Sequence, residues 1–89
     1  MRLKTLNVKR RSINGVRISR GNSVEVVRHL NENYGNAYDL WSVRVTDGAI
    51  IHDDTMSRHV WAYEGDWMVI ENNRPKSVTH SKMREAWVV

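Results

Sequence analysis

Three residue pairs that end in glycine divide much of the chain into short segments joined by tight turns. Asn14-Gly15, Asp47-Gly48 and Glu64-Gly65 each lie between two segments that contain apolar residues. Two-residue hairpin turns require positive φ angles, which glycine adopts without steric cost, and Asn-Gly or Asp-Gly is the strongest local signal of such a turn. The sequence therefore predicts an antiparallel architecture built from three hairpins.

The first predicted hairpin spans residues 8–20 and turns at Asn14-Gly15. In this register Ile13 lies opposite Val16, and successive side chains alternate between the two faces of the ribbon. One face is apolar near the turn. The other face must contact solvent or a partner, because it consists of Arg10, Ser12, Arg17 and Ser19.

The basic residues are concentrated at the N-terminus. The first twenty residues contain seven basic side chains and no acidic one, whereas the remaining sixty-nine contain seven basic and ten acidic ones. The net charge of +4 is therefore divided into +7 at one end and −3 elsewhere. A basic end on a mildly acidic body favours a polyanionic partner, with nucleic acid first. The seven basic residues are Arg2, Lys4, Lys9, Arg10, Arg11, Arg17 and Arg20.

Residues 23–34 are predicted to form a helix that packs on the sheet. Asn22 is a favourable N-cap residue, Glu25 completes a capping box with it, and Gly35 ends the helix. Apolar residues recur at helical spacing at Val24, Val26, Val27, Leu30 and Tyr34. We expect the helix to enter the core through Val27 and Leu30, which would contact Trp41, Val43 and Val45.

The rest of the chain predicts further strands. Apolar segments indicate strands at residues 38–46, 49–52, 58–63 and 66–71. The segments 52–57 and 72–77 are predicted to be loops, and the second contains the only proline.

The last dozen residues are ambiguous. The spacing of Met83 and Trp87 fits a helix, whereas residues 86–89 fit a closing strand. We favour a strand from about Glu85. The predicted fold is α+β and forms one domain, residues 1–89. It contains a basic N-terminal β-hairpin and one α-helix, about 23–34, packed on an antiparallel meander of four to five strands.

The third predicted hairpin, residues 58–71, is apolar on both faces. Antiparallel hairpins that expose one face to solvent do not show this pattern. One helix cannot cover both faces, so the second is covered by the C-terminal segment, by curling of the sheet into a barrel, or by another chain. That chain would be a second copy in a homodimer or a target, and we expect Trp61, Tyr63 and Trp67 to form the apolar interface. The two faces are Trp61, Tyr63, Met68 and Ile70 against Val60, Ala62, Trp67 and Val69.

Motifs for catalysis, cofactors or membrane insertion are not found in the sequence. There is no cysteine, which excludes disulfides and thiolate metal sites, and the glycines are isolated turn residues rather than a phosphate-binding loop. The longest apolar runs have four residues, against roughly 20 for a membrane span. We therefore expect a cytoplasmic protein without enzymatic activity or cofactor.

One cluster, His52, Asp53, Asp54 and His59, has the residue types that bind metals. An Asp-Asp-Thr sequence is also ordinary turn chemistry. We interpret the cluster as a polar turn and expect no metal site.

The predicted function is nucleic-acid binding through the basic N-terminal hairpin. A two-stranded ribbon fits the major groove of DNA, where arginine and serine side chains contact phosphates and base edges. An alternative is a small protein-binding inhibitor or adaptor that uses the ribbon against an acidic protein surface. Compact domains of this size are common among phage and mobile-element accessory proteins. In either case the predicted binding residues are Lys9, Arg10, Arg11, Ser12, Arg17 and Arg20.

Overall fold

The computed structural model describes residues 3–8 and 11–86, and within them the chain forms seven strands and two helices. The elements in chain order are β1 (Lys4–Val8), β2 (Arg11–Arg17), α1 (Ser23–Tyr34), β3 (Leu40–Val43), β4 (Ile50–Asp53), β5 (Arg58–Ala62), β6 (Trp67–Glu71), β7 (Arg74–Val78) and α2 (His80–Ala86).

The strands form two antiparallel sheets. One has the order β1-β2-β6-β7 and the other the order β3-β4-β5. The predicted α+β class is confirmed. The single meander is wrong, because the five strands that follow α1 are divided between the two sheets.

The first hairpin exists, but its predicted turn is wrong. Lys4 pairs with Gly15 and Val8 pairs with Arg11, so Asn14 and Gly15 lie inside β2 and not at the turn of the hairpin. Gly15 is buried inside β2, where β1 lies on one side and Val69 of β6 on the other. The positive-φ glycines of the described chain are Gly48 and Gly65. Asn14-Gly15 therefore lies within an inner strand of the sheet and does not form a turn.

The second hairpin, β3–β4, is confirmed with a longer turn. Val43 pairs with Ile50, and the N–H of Arg44 donates to the carbonyl of Ala49 at 2.8 Å. Asp47 closes this loop by accepting two hydrogen bonds from the Arg44 guanidinium, at 2.9 and 2.6 Å. Val45 consequently lies at the tip of the loop and is 96% exposed, so its predicted place in the core is wrong.

The third predicted hairpin has the right strands and the wrong pairing. β5 pairs with β4, whereas β6 lies between β2 and β7. The turn at Glu64-Gly65, with Gly65 at φ +93°, therefore carries the chain from one sheet to the other. Both edges of β6 are already occupied, which leaves no edge for β5.

A further hairpin occupies the segment that was predicted to be a loop, residues 72–77. Asn72 and Asn73 have φ angles of 53° and 60°, and Glu71 pairs with Arg74 across them. Two successive positive φ angles define a type I′ turn, for which asparagine is well suited. Pro75 is tolerated because β7 is an edge strand of its sheet.

Helix α1 confirms the predicted bounds and part of the predicted contacts. Leu30 is fully buried in a core with Trp41, Val27 is partly buried against that core, and Val43 is half-buried. The exposed position of Val24 takes it out of the predicted stripe. The remaining buried members of this core are Ile18, Val26, Ile50, Ala62 and Met68.

The ends of α1 differ from the predicted caps. The Asn22 side chain makes no hydrogen bond to the first turn. It instead accepts from the N–H of Ser19 and donates to the carbonyl of Arg17, both at 2.8 Å. Gly35 does follow the helix, but in an extended conformation with φ −69° and ψ 145°. Asn22 therefore fixes the connection from β2 into the helix instead of capping it.

The C-terminal segment covers the second face of β6, as one of the three alternatives predicted. Met83 of α2 is fully buried against Trp67 and Val69 in a second, smaller core. A strand beginning at Glu85 is wrong for the described part of this segment, because α2 continues to Ala86. Trp87 lies outside the described residues.

Candidate functional site

The predicted basic site is only partly within the described chain. Lys9 and Arg10 lie outside the described residues, and for Arg11 and Ser12 the structure describes the backbone of β2 alone. Arg17 ends β2 with an exposed side chain, whose Nε donates to the carbonyl of Gly65 at 3.1 Å. Since that acceptor is neutral, the positive charge of Arg17 is not neutralised by this contact.

Arg20 lies after the end of β2 and has a weak acidic neighbour. Its Nε is 3.7 Å from Oε2 of Glu64, and its Nη2 donates to the carbonyl of Thr46 at 3.5 Å. Both side chains of the ion pair are more than half exposed, so water screens this interaction strongly.

The sheet pairing adds basic residues that are distant in the sequence. Together, β1, β2, β6, β7 and α2 contain seven Lys or Arg residues and two acidic residues, Glu71 and Glu85. The other elements, α1, β3, β4 and β5, contain two basic and three acidic residues. The seven basic residues are Lys4, Arg11, Arg17, Arg74, Lys76, Lys82 and Arg84.

Four exposed cations share one side of the four-stranded sheet. Arg17 pairs with Trp67, and Lys76 pairs with Val69 two residues further along β6, so both lie on the face that α2 covers. Lys82 and Arg84 are exposed on α2 itself. We call Arg17, Lys76, Lys82 and Arg84 the basic face. Sequence reasoning missed three of the four, because only the long-range β2–β6 pairing brings them to Arg17.

An aromatic cleft of about 380 Å³ opens beside the edge strand β7. Trp41 and His52 stack in its wall with ring centroids 4.6 Å apart, and Trp61 meets Trp41 edge-on at 6.1 Å. The guanidinium-bearing Arg74 also lines the cleft. The remaining lining residues are Tyr34, Asp39 and Pro75.

The three residues of the predicted apolar interface lie in three different environments. Trp67 is only 6% exposed, because α2 covers it and its Nε1 donates to Nδ1 of His80 at 3.2 Å. Trp67 therefore belongs to the core rather than to an exposed surface. Trp61 is partly buried in the cleft, and Tyr63 is 55% exposed. A homodimer or target interface at this place stays a prediction.

The metal-ligating residue types of the turn after β4 do converge. His52 and His59 pair directly across β4 and β5, with ring centroids 5.2 Å apart. One ligand atom each from His52, Asp54 and His59 lies within 4.8 Å of the others. Asp53 is instead 3.6 Å from the Arg58 guanidinium.

Asp54 has a second role in the same turn. Its Oδ1 accepts from the backbone N–H groups of Met56 and Ser57, at 2.8 and 2.7 Å. These two hydrogen bonds lower the pKa of the Asp54 carboxyl below its usual value of 3.8, and the nearby His59 adds to the effect. The turn therefore holds a charged carboxylate next to the two imidazoles at neutral pH.

Comparisons of this chain with protein-family models, with curated proteins and with solved structures find no match. In the described chain neither helix has the length and apolar character that crossing a membrane requires.

Proposed function

We propose that this protein binds nucleic acid, without catalysis, through the N-terminal basic strands together with the basic face. The observation that carries the proposal is that Lys76 lies in the sheet that contains the basic N-terminal strands, and that Lys82 and Arg84 lie on the helix α2 that packs on this sheet. A sequence-distant set of cations on one side of a sheet is the kind of charge distribution that attracts a polyanion.

The basic face is suited to phosphate contacts. All four of its side chains are exposed, and the described contact of Arg17 is to a neutral carbonyl. Charge-assisted hydrogen bonds from Arg or Lys to phosphate are stronger than neutral ones and release condensed counterions. The strands of the four-stranded sheet and α2 contain only two acidic residues, Glu71 and Glu85, against seven Lys or Arg residues.

The aromatic cleft favours single-stranded nucleic acid, whose bases are unpaired. Strand β7 borders both regions, because Lys76 lies on the basic face and Arg74 lines the cleft. If the sugar-phosphate backbone of a bound nucleic acid runs along β7, its bases reach the partly buried ring of Trp61. Stacking on aromatic rings tolerates any base and is worth about 1–3 kcal/mol per base.

The test is fluorescence anisotropy with labelled single-stranded and duplex oligonucleotides, titrated between about 50 and 200 mM salt. We expect binding that weakens steeply with salt. A Lys76→Ala, Arg84→Ala double variant should bind more weakly and show a shallower salt dependence. On duplex DNA the slope should fall by about 0.9 for each lost phosphate contact.

The matched control removes the same number of charges from elements outside the four-stranded sheet and α2. Arg28 is exposed on α1 and Arg58 is exposed on β5, so Arg28→Ala, Arg58→Ala should leave binding and its salt slope unchanged. Equal losses in the two double variants would indicate a net-charge effect and contradict a defined surface.

An acidic protein surface is the alternative partner for the same cations. If no oligonucleotide binds even at low salt, the nucleic-acid proposal is overturned. The inhibitor or adaptor hypothesis would then be pursued through a partner captured by the wild type and lost by the Lys76→Ala, Arg84→Ala variant.

A further inference from the structure

We propose that His52, Asp54 and His59 form a binding site for Zn²⁺. The three side chains offer two imidazole nitrogens and one carboxylate oxygen, and one ligand atom from each lies within 4.8 Å of the others. The site belongs to the three-stranded sheet and uses no residue of the basic face. It shares His52 with the wall of the aromatic cleft, but metal binding goes beyond the proposed nucleic-acid binding.

The backbone itself brings the three ligands together. His52 and His59 are direct partners across two antiparallel strands, where opposite Cβ atoms lie roughly 4.5–5.5 Å apart. Asp54 begins the turn that joins these strands, two residues after His52. Its Oδ1 accepts hydrogen bonds from the backbone N–H groups of Met56 and Ser57, so the carboxylate is held in place within the turn.

His52 already has the outer partner that metal-binding histidines use. Its Nε2 is 3.0 Å from Oδ1 of Asp39, and its ring is stacked on Trp41 at 4.6 Å. A histidine that donates its Nε2–H to a carboxylate presents a lone pair on Nδ1, with the tautomer and ring orientation fixed. Asp39 and Trp41 thus hold His52 as a metal ligand would be held.

The ligand atoms must move closer together to coordinate a metal ion, and the exposed side of the site allows this movement. Zinc binds nitrogen and oxygen at about 2.0–2.2 Å, so tetrahedral ligand atoms lie about 3.4 Å apart and the described ones must approach by up to about 1.4 Å. His59 is exposed, so solvent leaves room for its ring to move toward the other two ligands. The Ser57 hydroxyl, 3.2 Å from Nδ1 of His59, can accept its N–H and leave Nε2 for the metal.

The donor set selects the class of metal. Two imidazoles with one carboxylate suit Zn²⁺ and related divalent transition metals, whereas Mg²⁺ and Ca²⁺ prefer oxygen ligands throughout. Three protein ligands would leave one tetrahedral position for water or for a ligand of the metal.

The test is calorimetric titration of the full chain with Zn²⁺ alone, with Mg²⁺ and Ca²⁺ in parallel. We expect one Zn²⁺ per chain and no heat from Mg²⁺ or Ca²⁺. His59→Ala and Asp54→Asn should each weaken Zn²⁺ binding by at least about tenfold, and Asp39→Asn by about 10–100-fold as an outer-shell change. Asp54→Asn keeps an oxygen acceptor for the turn, and circular dichroism would verify folding.

The control is His29→Ala, which removes a histidine from α1, away from the turn, and should leave the titration unchanged. Absence of Zn²⁺ binding by the wild type would overturn the proposal. Binding that His59→Ala does not weaken would overturn it equally, because the ion would then lie elsewhere.

Discussion

The side-chain amide of Asn31 pairs with the backbone of Trp41 as a neighbouring strand would. Its Nδ2 donates to the Trp41 carbonyl and its Oδ1 accepts from the Trp41 N–H, both at 2.9 Å. Since β3 is an edge strand of its sheet, one helical side chain satisfies both polar groups of a residue that has no further strand beside it.

This pair predicts that Asn31→Ala destabilises the protein. The variant leaves a partly buried N–H and a partly buried carbonyl without their partner, which costs about 1–3 kcal/mol for each group that water does not reach. Urea denaturation measures the loss. Asn33→Ala, on the exposed side of the same helix, should cost less than half as much. Equal costs would show that the bridge contributes nothing.

Leu30→Ala should be the more severe substitution in α1. The side chain is fully buried in the larger core, and truncation creates a cavity that costs about 2–5 kcal/mol. The matched variant is Val24→Ala, at an exposed position of the same helix, where we expect a change within about 0.5 kcal/mol. Thermal or urea unfolding of the two variants compares them directly, and a mild Leu30→Ala would mean that α1 is oriented differently.

Gly35→Ala should destabilise the end of α1 although the φ angle of this residue is ordinary. A Cβ at this position would overlap the carbonyl oxygen of Asn31 and lie 2.9 Å from its Cα. Both are backbone atoms of the helix, so the chain itself must shift. Gly21→Ala is the control, because its nearest neighbour would be the Ser19 hydroxyl at 3.7 Å. Similar unfolding midpoints for the two variants would contradict the steric argument.

Asp47 should make stability depend on pH in the acid range. Hydrogen bonds from the Arg44 side chain and from the N–H of Ala49 lower the pKa of the Asp47 carboxyl from 3.8 to about 2. A carboxyl whose pKa is lower in the folded state than in the unfolded state stabilises the protein at pH values above the unfolded-state pKa. This stabilisation is lost as the pH falls from about 4 to about 2. Asp47→Asn should therefore lower the urea midpoint at neutral pH and show a shallower acid dependence. Parallel pH profiles would contradict this origin.

Local sequence patterns predicted the elements better than their partners. The strands at residues 49–52, 58–63 and 66–71 and the helix at 23–34 follow from apolar periodicity, which each segment carries by itself. Pairing is a property of distant segments. Glu64-Gly65 gives the same turn signal whether the next strand folds back on β5 or continues into another sheet, and Asn14-Gly15 is compatible with a turn as well as with a position inside a strand.

The candidate sites show the same division. The turn sequence alone identified His52, Asp54 and His59 as possible ligands, because they lie within eight residues of one another. Their convergence depends on the β4–β5 register, in which a shift of one residue would separate the imidazoles. Arg17 was found from the N-terminal charge, whereas Lys76 joins it only through pairing across β6.

Strand β6 contributes to two separate cores, with Met68 in the larger one and Trp67 and Val69 beneath α2. Because successive residues of β6 alternate between the two cores, the two cores should unfold together. Neither core can stay folded when β6 leaves it. Amide hydrogen exchange should therefore be slowest along this strand and occur there through global unfolding. Cooperative unfolding of the molecule thus depends on one five-residue strand whose two faces both pack against a core.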